Sequence, residues 1–320
     1  MSRIYEALQK AESERAVERA PEREPVASPP SVNGNMHAAA AVAVPEYAAP
    51  APAPVQQAEV VGMPTTQTAR DGAGGLGGSL GEVARRRWSP ALVQLPALLQ
   101  RGPAVEQFRS LRSRIYEMRD IRPLKSILVT SGMPQEGKSF ISINLAMSLA
   151  RHKNSRVLLI DGDMRRFTLH HVLGCESQPG LAEYLAGKAG LQEVMQRGEA
   201  SAPGQPVLPN LTFIPGGNGG DRAADLSGSP RFGELLQSAS AYFDWIVVDS
   251  SPVLPVSDAV NLARFCDGVL LVAREGVTKY PVAQRAQSEL KTANILGFVL
   301  NAVHEAPQVG DYYGYDASQD

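Results

Sequence analysis

Gly132-Met133-Pro134-Gln135-Glu136-Gly137-Lys138-Ser139 fits G-x-x-x-x-G-K-[ST], the pattern of a phosphate-binding loop. The apolar run Ile127-Leu128-Val129 before it reads as a buried strand. The segment from Phe140 to Ala150 after it has helical periodicity. Strand, glycine loop and helix form the context the motif requires. The glycines let backbone amides curl around phosphate oxygens, and the helix start adds partial positive charge. Met133, Pro134, Gln135, Glu136 and Phe140 are expected to line the same nucleotide site. Lys138 is expected to reach the outer phosphates, and the Ser139 hydroxyl to ligate Mg2+.

Working outward, Arg156-Val157-Leu158-Leu159-Ile160 reads as a second buried strand. It ends on Asp161-Gly162-Asp163-Met164-Arg165-Arg166. Carboxylates at the C-terminal end of a strand lie where open α/β sheets bind ligands. Asp161 is the candidate for orienting or deprotonating a hydroxyl, and Asp163 for helping to hold the metal. Trp245-Ile246-Val247-Val248-Asp249 is an apolar strand closed by an aspartate, and Asp249 would orient the Mg2+ hydration shell. Further strands are expected at Leu211-Thr212-Phe213-Ile214, Gly268-Val269-Leu270-Leu271-Val272 and Gly297-Phe298-Val299-Leu300. Helices are expected near 181–185, 232–241 and 281–292. The alternation predicts a doubly wound, mostly parallel α/β sheet covered on both faces. Asn301, closing the last strand, reads either as a contact to the nucleotide base or as an ordinary turn residue.

N-terminal to this core, Gly102-Pro103 signals a helix start, and Val105, Phe108, Leu111, Ile115 and Met118 recur at helical spacing. Its charged side carries Glu106, Arg109 and Arg112, either as solvated charges or as a protein contact. Residues 1–20 form a charged helix candidate, and 21–95 an alanine-, proline- and glycine-rich linker expected to be disordered. Arg85-Arg86-Arg87-Trp88 within that linker reads as a solvated charge run or as a contact to acidic lipid or a partner. The nucleotide-binding domain is expected over 96–304. Residues 305–320 form a tail holding Tyr312, Tyr313 and Tyr315.

The bulk numbers exclude several classes. A net charge of −2 exerts no general pull toward nucleic acid. Two cysteines make no disulfide framework, and no apolar run approaches the ~20 residues of a membrane helix. A cytoplasmic protein is expected, with any membrane role exerted through a partner.

From about residue 105 to 315 the chain resembles the bacterial tyrosine kinases (BY-kinases) of polysaccharide export systems, relatives of the ParA/MinD-like (deviant Walker) P-loop NTPases. The three ATP motifs match residues 132–139, Asp161-Gly162-Asp163-Met164-Arg165, and 246–252. The family's E-x-x-R-x-x-R oligomerisation motif matches Glu106, Arg109 and Arg112, and its tyrosine cluster matches Tyr312, Tyr313 and Tyr315. Met1-Ser2-Arg3-Ile4-Tyr5-Glu6-Ala7-Leu8 is similar to the cytoplasmic autokinases of exosortase-linked exopolysaccharide loci. The resemblance implies ATP and Mg2+ as cofactors and phosphoryl transfer to tail tyrosines of a neighbour in a ring. It also implies a separate membrane-bound chain-length determinant (Wzz-like) as activator, recruitment to the inner membrane through it, and a phosphotyrosine phosphatase. The rival reading is a ParA/MinD-type ATPase switch without kinase activity. Met133, where that group carries a second lysine, and the tyrosine tail speak against it.

Overall fold

The computed structural model describes residues 83–151, 155–200 and 210–303. Eight strands form one sheet: β1 (Ala84–Trp88), β2 (Ser126–Ser131), β3 (Val157–Asp161), β4 (Gln196–Ala200), β5 (Leu211–Ile214), β6 (Trp245–Asp249), β7 (Gly268–Arg274) and β8 (Ile295–Asn301). The helices are α1 (Pro103–Ile121), α2 (Lys138–Ala150), α3 (Leu169–Leu173), α4 (Leu181–Leu185), α5 (Leu191–Val194), α6 (Ala223–Ser227), α7 (Arg231–Ser240), α8 (Asp258–Ala263) and α9 (Tyr280–Glu289). Among the described residues no helix is long and apolar enough to cross a membrane.

The strand order is β1-β4-β5-β3-β6-β2-β7-β8. Neighbours pair in parallel throughout except β4 with β5. The central strands are apolar along their whole length because both faces are covered. Alternate side chains therefore feed two separate cores. Leu128, Leu158, Ile160, Ile246 and Val248 pack on one side with α4 to α9 residues such as Leu181, Phe232, Leu262 and Ala286. Ile127, Val129, Leu159, Phe213, Trp245 and Val247 pack on the other with Phe108 and Ile115 of α1 and with Leu145 and Leu149 of α2. The doubly wound parallel sheet expected from the sequence is thus the fold. The expected charged helix at 1–20, the tail at 305–320 and most of the linker lie outside the described residues.

One boundary differs. The linker reading ran through residue 95, yet Arg85, Arg86 and Arg87 belong to an edge strand pairing with β4, with Ala84 opposite Gln196 and Trp88 opposite Ala200. Trp88 is the reason: its ring is buried and meets Phe213 edge-on at 6.3 Å. It also lies over Gly198, where a Cβ would come within 2.6 Å of the indole. The arginines face solvent, two of them near Glu199 and Glu176. A charged edge strand of this kind resists sheet-to-sheet pairing.

Candidate nucleotide-binding site

The loop between β2 and α2 lies at the C-terminal edge of the parallel strands. Gly137 precedes α2 with φ 96°, and Gln135 also takes a left-handed φ of 65°. These two bends turn the chain so that the free amides at the start of α2 point into the loop's concavity, the arrangement that binds phosphate. Glu136, expected among the nucleotide contacts, is instead buried at 1% exposure, and its Oε2 accepts the Met133 N–H at 2.8 Å. Its carboxylate shapes the loop from inside. Met133 and Phe140 are exposed at the rim, and the Phe140 ring meets that of Phe108 at 5.9 Å.

Four charged side chains from three segments converge here. Lys138 Nζ lies 3.2 Å from Asp163 Oδ2 and 3.4 Å from Ser139 Oγ. Asp161 and Asp249 end neighbouring strands in direct register. Burial lowers the proton affinity of Lys138, but Asp249, Asp163 and Asp161 outweigh it and the net shift is upward. Burial, then the Asp249 charge, holds Asp161 well above the usual carboxylate range. Burial likewise raises Asp249, with the Lys138 charge opposing. Three carboxylates around one ammonium leave the pocket with surplus negative charge, as expected where a cation completes the site.

Asp249 Oδ1 accepts the Ser142 hydroxyl at 2.9 Å, whereas its Oδ2 is buried without a hydrogen-bond partner. An unpartnered buried carboxylate oxygen close to Ser139 fits a magnesium site of the P-loop kind. Among the described residues no group of three or more His, Cys, Asp or Glu could cage a metal alone. Magnesium held largely by phosphate and water needs no such cage.

Three expected roles meet a different geometry. Asp161 does not face an open cleft: Oδ1 accepts the Asp163 N–H at 3.2 Å, and Oδ2 accepts those of Thr168 and Leu169 at 3.1 and 3.2 Å. The carboxylate folds the 163–169 segment over itself. Asn301 is engaged by the phosphate loop: its Nδ2 donates to the Glu136 carbonyl at 3.0 Å. Arg112 is not a free surface charge: its Nη1 donates to the Ser148 carbonyl at 2.8 Å, capping the end of α2. Glu106 and Arg109 do remain exposed, paired with one another at 2.5 Å. Tyr312, Tyr313 and Tyr315 lie outside the described residues.

Sequence reasoning missed Asp258, which is fully buried at the start of α8 and grips Arg165 at 2.7 Å. This pair ties the segment carrying Asp163 to a neighbouring helix. The only signal was Arg165 itself, an arginine inside an aspartate-rich turn.

A doubly wound parallel sheet with this loop and these carboxylates defines a P-loop nucleotide-binding domain. No protein-family model matches the chain. It is 31% identical over 217 residues to tyrosine-protein kinase YwqD of Bacillus subtilis, covering 67% of this chain and 87% of that one. It is 33% identical over 205 residues to tyrosine-protein kinase Ptk of Acinetobacter johnsonii, covering 63% of this chain but 27% of the relative. The kinase domain of Escherichia coli tyrosine kinase Etk superposes with a TM-score of 0.57 at 27% identity, covering 70% of this chain and 92% of that structure. The chain belongs to the bacterial tyrosine-protein kinase family. It spans about a quarter of the length of Ptk and of two further curated relatives that it matches.

Proposed function

We propose that this chain is a protein tyrosine autokinase that transfers the γ-phosphoryl of Mg-ATP to Tyr312, Tyr313 and Tyr315 of a neighbouring subunit. Through this it regulates exopolysaccharide synthesis and export. The observation that carries the reading is the convergence of Lys138, Ser139 and the unpartnered Oδ2 of Asp249 at the N-terminus of α2. Membership of the tyrosine-protein kinase family supports kinase chemistry over a bare ATPase switch.

Bound Mg2+ would neutralise charge on the phosphates during in-line transfer. Ser139 and Asp249 would hold it, with Asp163 close by. The free amides at the turn into α2 would cradle the phosphates, and Lys138 would follow the charge that develops on them. Lys138 must exchange Asp163 for phosphate as nucleotide enters. Asp161 would take the phenol proton after the Thr168 and Leu169 amides release it. A phenol with pKa ~10 needs only modest assistance.

In the same proposal the subunits form a ring, with Glu106 and Arg109 at the contact. A membrane-bound chain-length determinant of the Wzz-like type recruits the protein to the inner membrane and activates it, and a phosphatase resets the tail. Incubating the purified chain with Mg-ATP and mapping phosphopeptides tests the core of this. Phosphate on Tyr312, Tyr313 and Tyr315 that disappears when all three become phenylalanine is the expected result. ATP hydrolysis with no phosphotyrosine would favour the switch reading.

A further inference from the structure

The phosphate loop is held by side chains that no phosphate-binding motif contains. Thr278, between β7 and α9, donates its hydroxyl to Oε1 of the buried Glu136 and accepts the Arg274 N–H at 2.8 Å. Arg274 Nη1 donates to the Gln135 carbonyl at 3.2 Å, and Asn301 Nδ2 to the Glu136 carbonyl at 3.0 Å. The two supports are joined, because the Glu275 N–H donates to the Asn301 carbonyl at 3.0 Å. Every contact to the loop falls on Gln135 or Glu136, the stretch bent by the left-handed Gln135 and Gly137.

We infer that Thr278, with Arg274 and Asn301, forms a brace that holds the phosphate loop in its binding shape before nucleotide arrives, making Thr278 a positioning residue for Mg-ATP. The inference deepens the kinase reading and rests on it. The Glu136 carboxylate is the hinge of the argument. A buried anion inside a loop that must receive phosphate is unfavourable unless its oxygens are occupied. Met133 N–H occupies one oxygen and Thr278 the other. Without the threonine hydroxyl, Oε1 needs water, and the carboxylate must turn outward to find it. The Met133 amide is then released and the loop samples open shapes. Binding must restore the closed shape at the expense of affinity. Once nucleotide is bound, the phosphates themselves order the loop, so turnover at saturation is little affected.

Calorimetric titration of the full chain with Mg-ADP, alongside steady-state phosphorylation with Mg-ATP, tests this. Thr278→Val, which keeps shape and removes the hydroxyl, should weaken Mg-ADP binding about tenfold, as expected for one hydrogen bond to a charged group. KM for ATP should rise in step while kcat stays within about twofold. Thr278→Ser restores the donor and should restore affinity. In the Glu136→Gln background Thr278→Val should matter less, because the buried charge is gone. Equal affinity for wild type and Thr278→Val, or no rescue by serine, overturns the brace. A wild-type chain that binds no Mg-ADP overturns the nucleotide reading and the brace together.

Discussion

Lys138 Nζ sits 3.2 Å from Asp163 Oδ2, so the loop lysine is already engaged by a carboxylate from the segment after β3. The pair links two ATP motifs lying on different connections of the sheet. It also stores the lysine where an incoming phosphate competes with an acid for it.

Lys138→Ala should therefore do more than remove a phosphate ligand. It leaves Asp161, Asp163 and Asp249 buried without their counter-charge. We expect phosphotyrosine to fall at least about 100-fold and stability to fall by about 3 kcal/mol. Mass spectrometry and a denaturant melt check the two effects. A variant that keeps full phosphorylation would remove Lys138 from the mechanism.

Asp249→Asn should separate folding from binding. Burial raises the pKa of Asp249 above that of an ordinary aspartate. A carboxylate raised in the fold favours folding only below its unfolded pKa, and that contribution is lost as pH rises through the folded value. At neutral pH the ionised side chain thus opposes folding. The asparagine variant should melt a few degrees higher than wild type without nucleotide, with the gap widening from acid toward neutral pH. Its stabilisation by Mg-ADP should vanish. Thermal melts between about pH 5 and 8, with and without Mg-ADP, read both effects.

Gly137→Ala should distort the loop. The position has φ 96°, and an added Cβ would lie 1.9 Å from Asn301 Nδ2. The expected cost is about 2–4 kcal/mol, together with loss of nucleotide binding. Adding Asn301→Ala removes the clash but not the backbone strain, so only part of the stability should return. Full recovery in the double variant would mean that the backbone conformation is unstrained.

Arg109 and Arg112 should part company under mutation. Glu106→Ala with Arg109→Ala removes exposed charges and should weaken self-association at unchanged melting temperature. Arg112→Ala uncovers the Ser148 carbonyl and should lower the melting temperature first. Light scattering paired with thermal melts distinguishes them. Equal mass for wild type and the Glu106/Arg109 variant would end the assignment of that pair to a ring contact.

The loop and its flanks were legible because local rules coincide there: apolar strand, glycine bends, lysine, helix. β3, β6 and β7 read directly as apolar runs, since a strand buried on both faces shows its burial in sequence. β1 was hidden because three of its residues are arginines and the one that anchors it, Trp88, packs against Phe213 more than a hundred residues later. Arg112 looked exposed from helical spacing, yet its long side chain reaches across to the Ser148 carbonyl at the end of α2. The Glu136–Thr278 and Arg165–Asp258 contacts join distant segments through polar atoms, and no periodicity announces such pairs.

The strand order also fixes where the chain enters and leaves. Residue 83 leads into β1 at one edge, and residue 303 follows β8 at the other. Seven inter-strand steps separate them, about 34 Å at ~4.8 Å each. The departure point is beside the phosphate loop, because Asn301, the last residue of β8, touches it. Tyr312 stands nine residues beyond Val303, a tether of at most about 30 Å. The proposed acceptors therefore belong to a tail whose point of departure is fixed beside the phosphate loop.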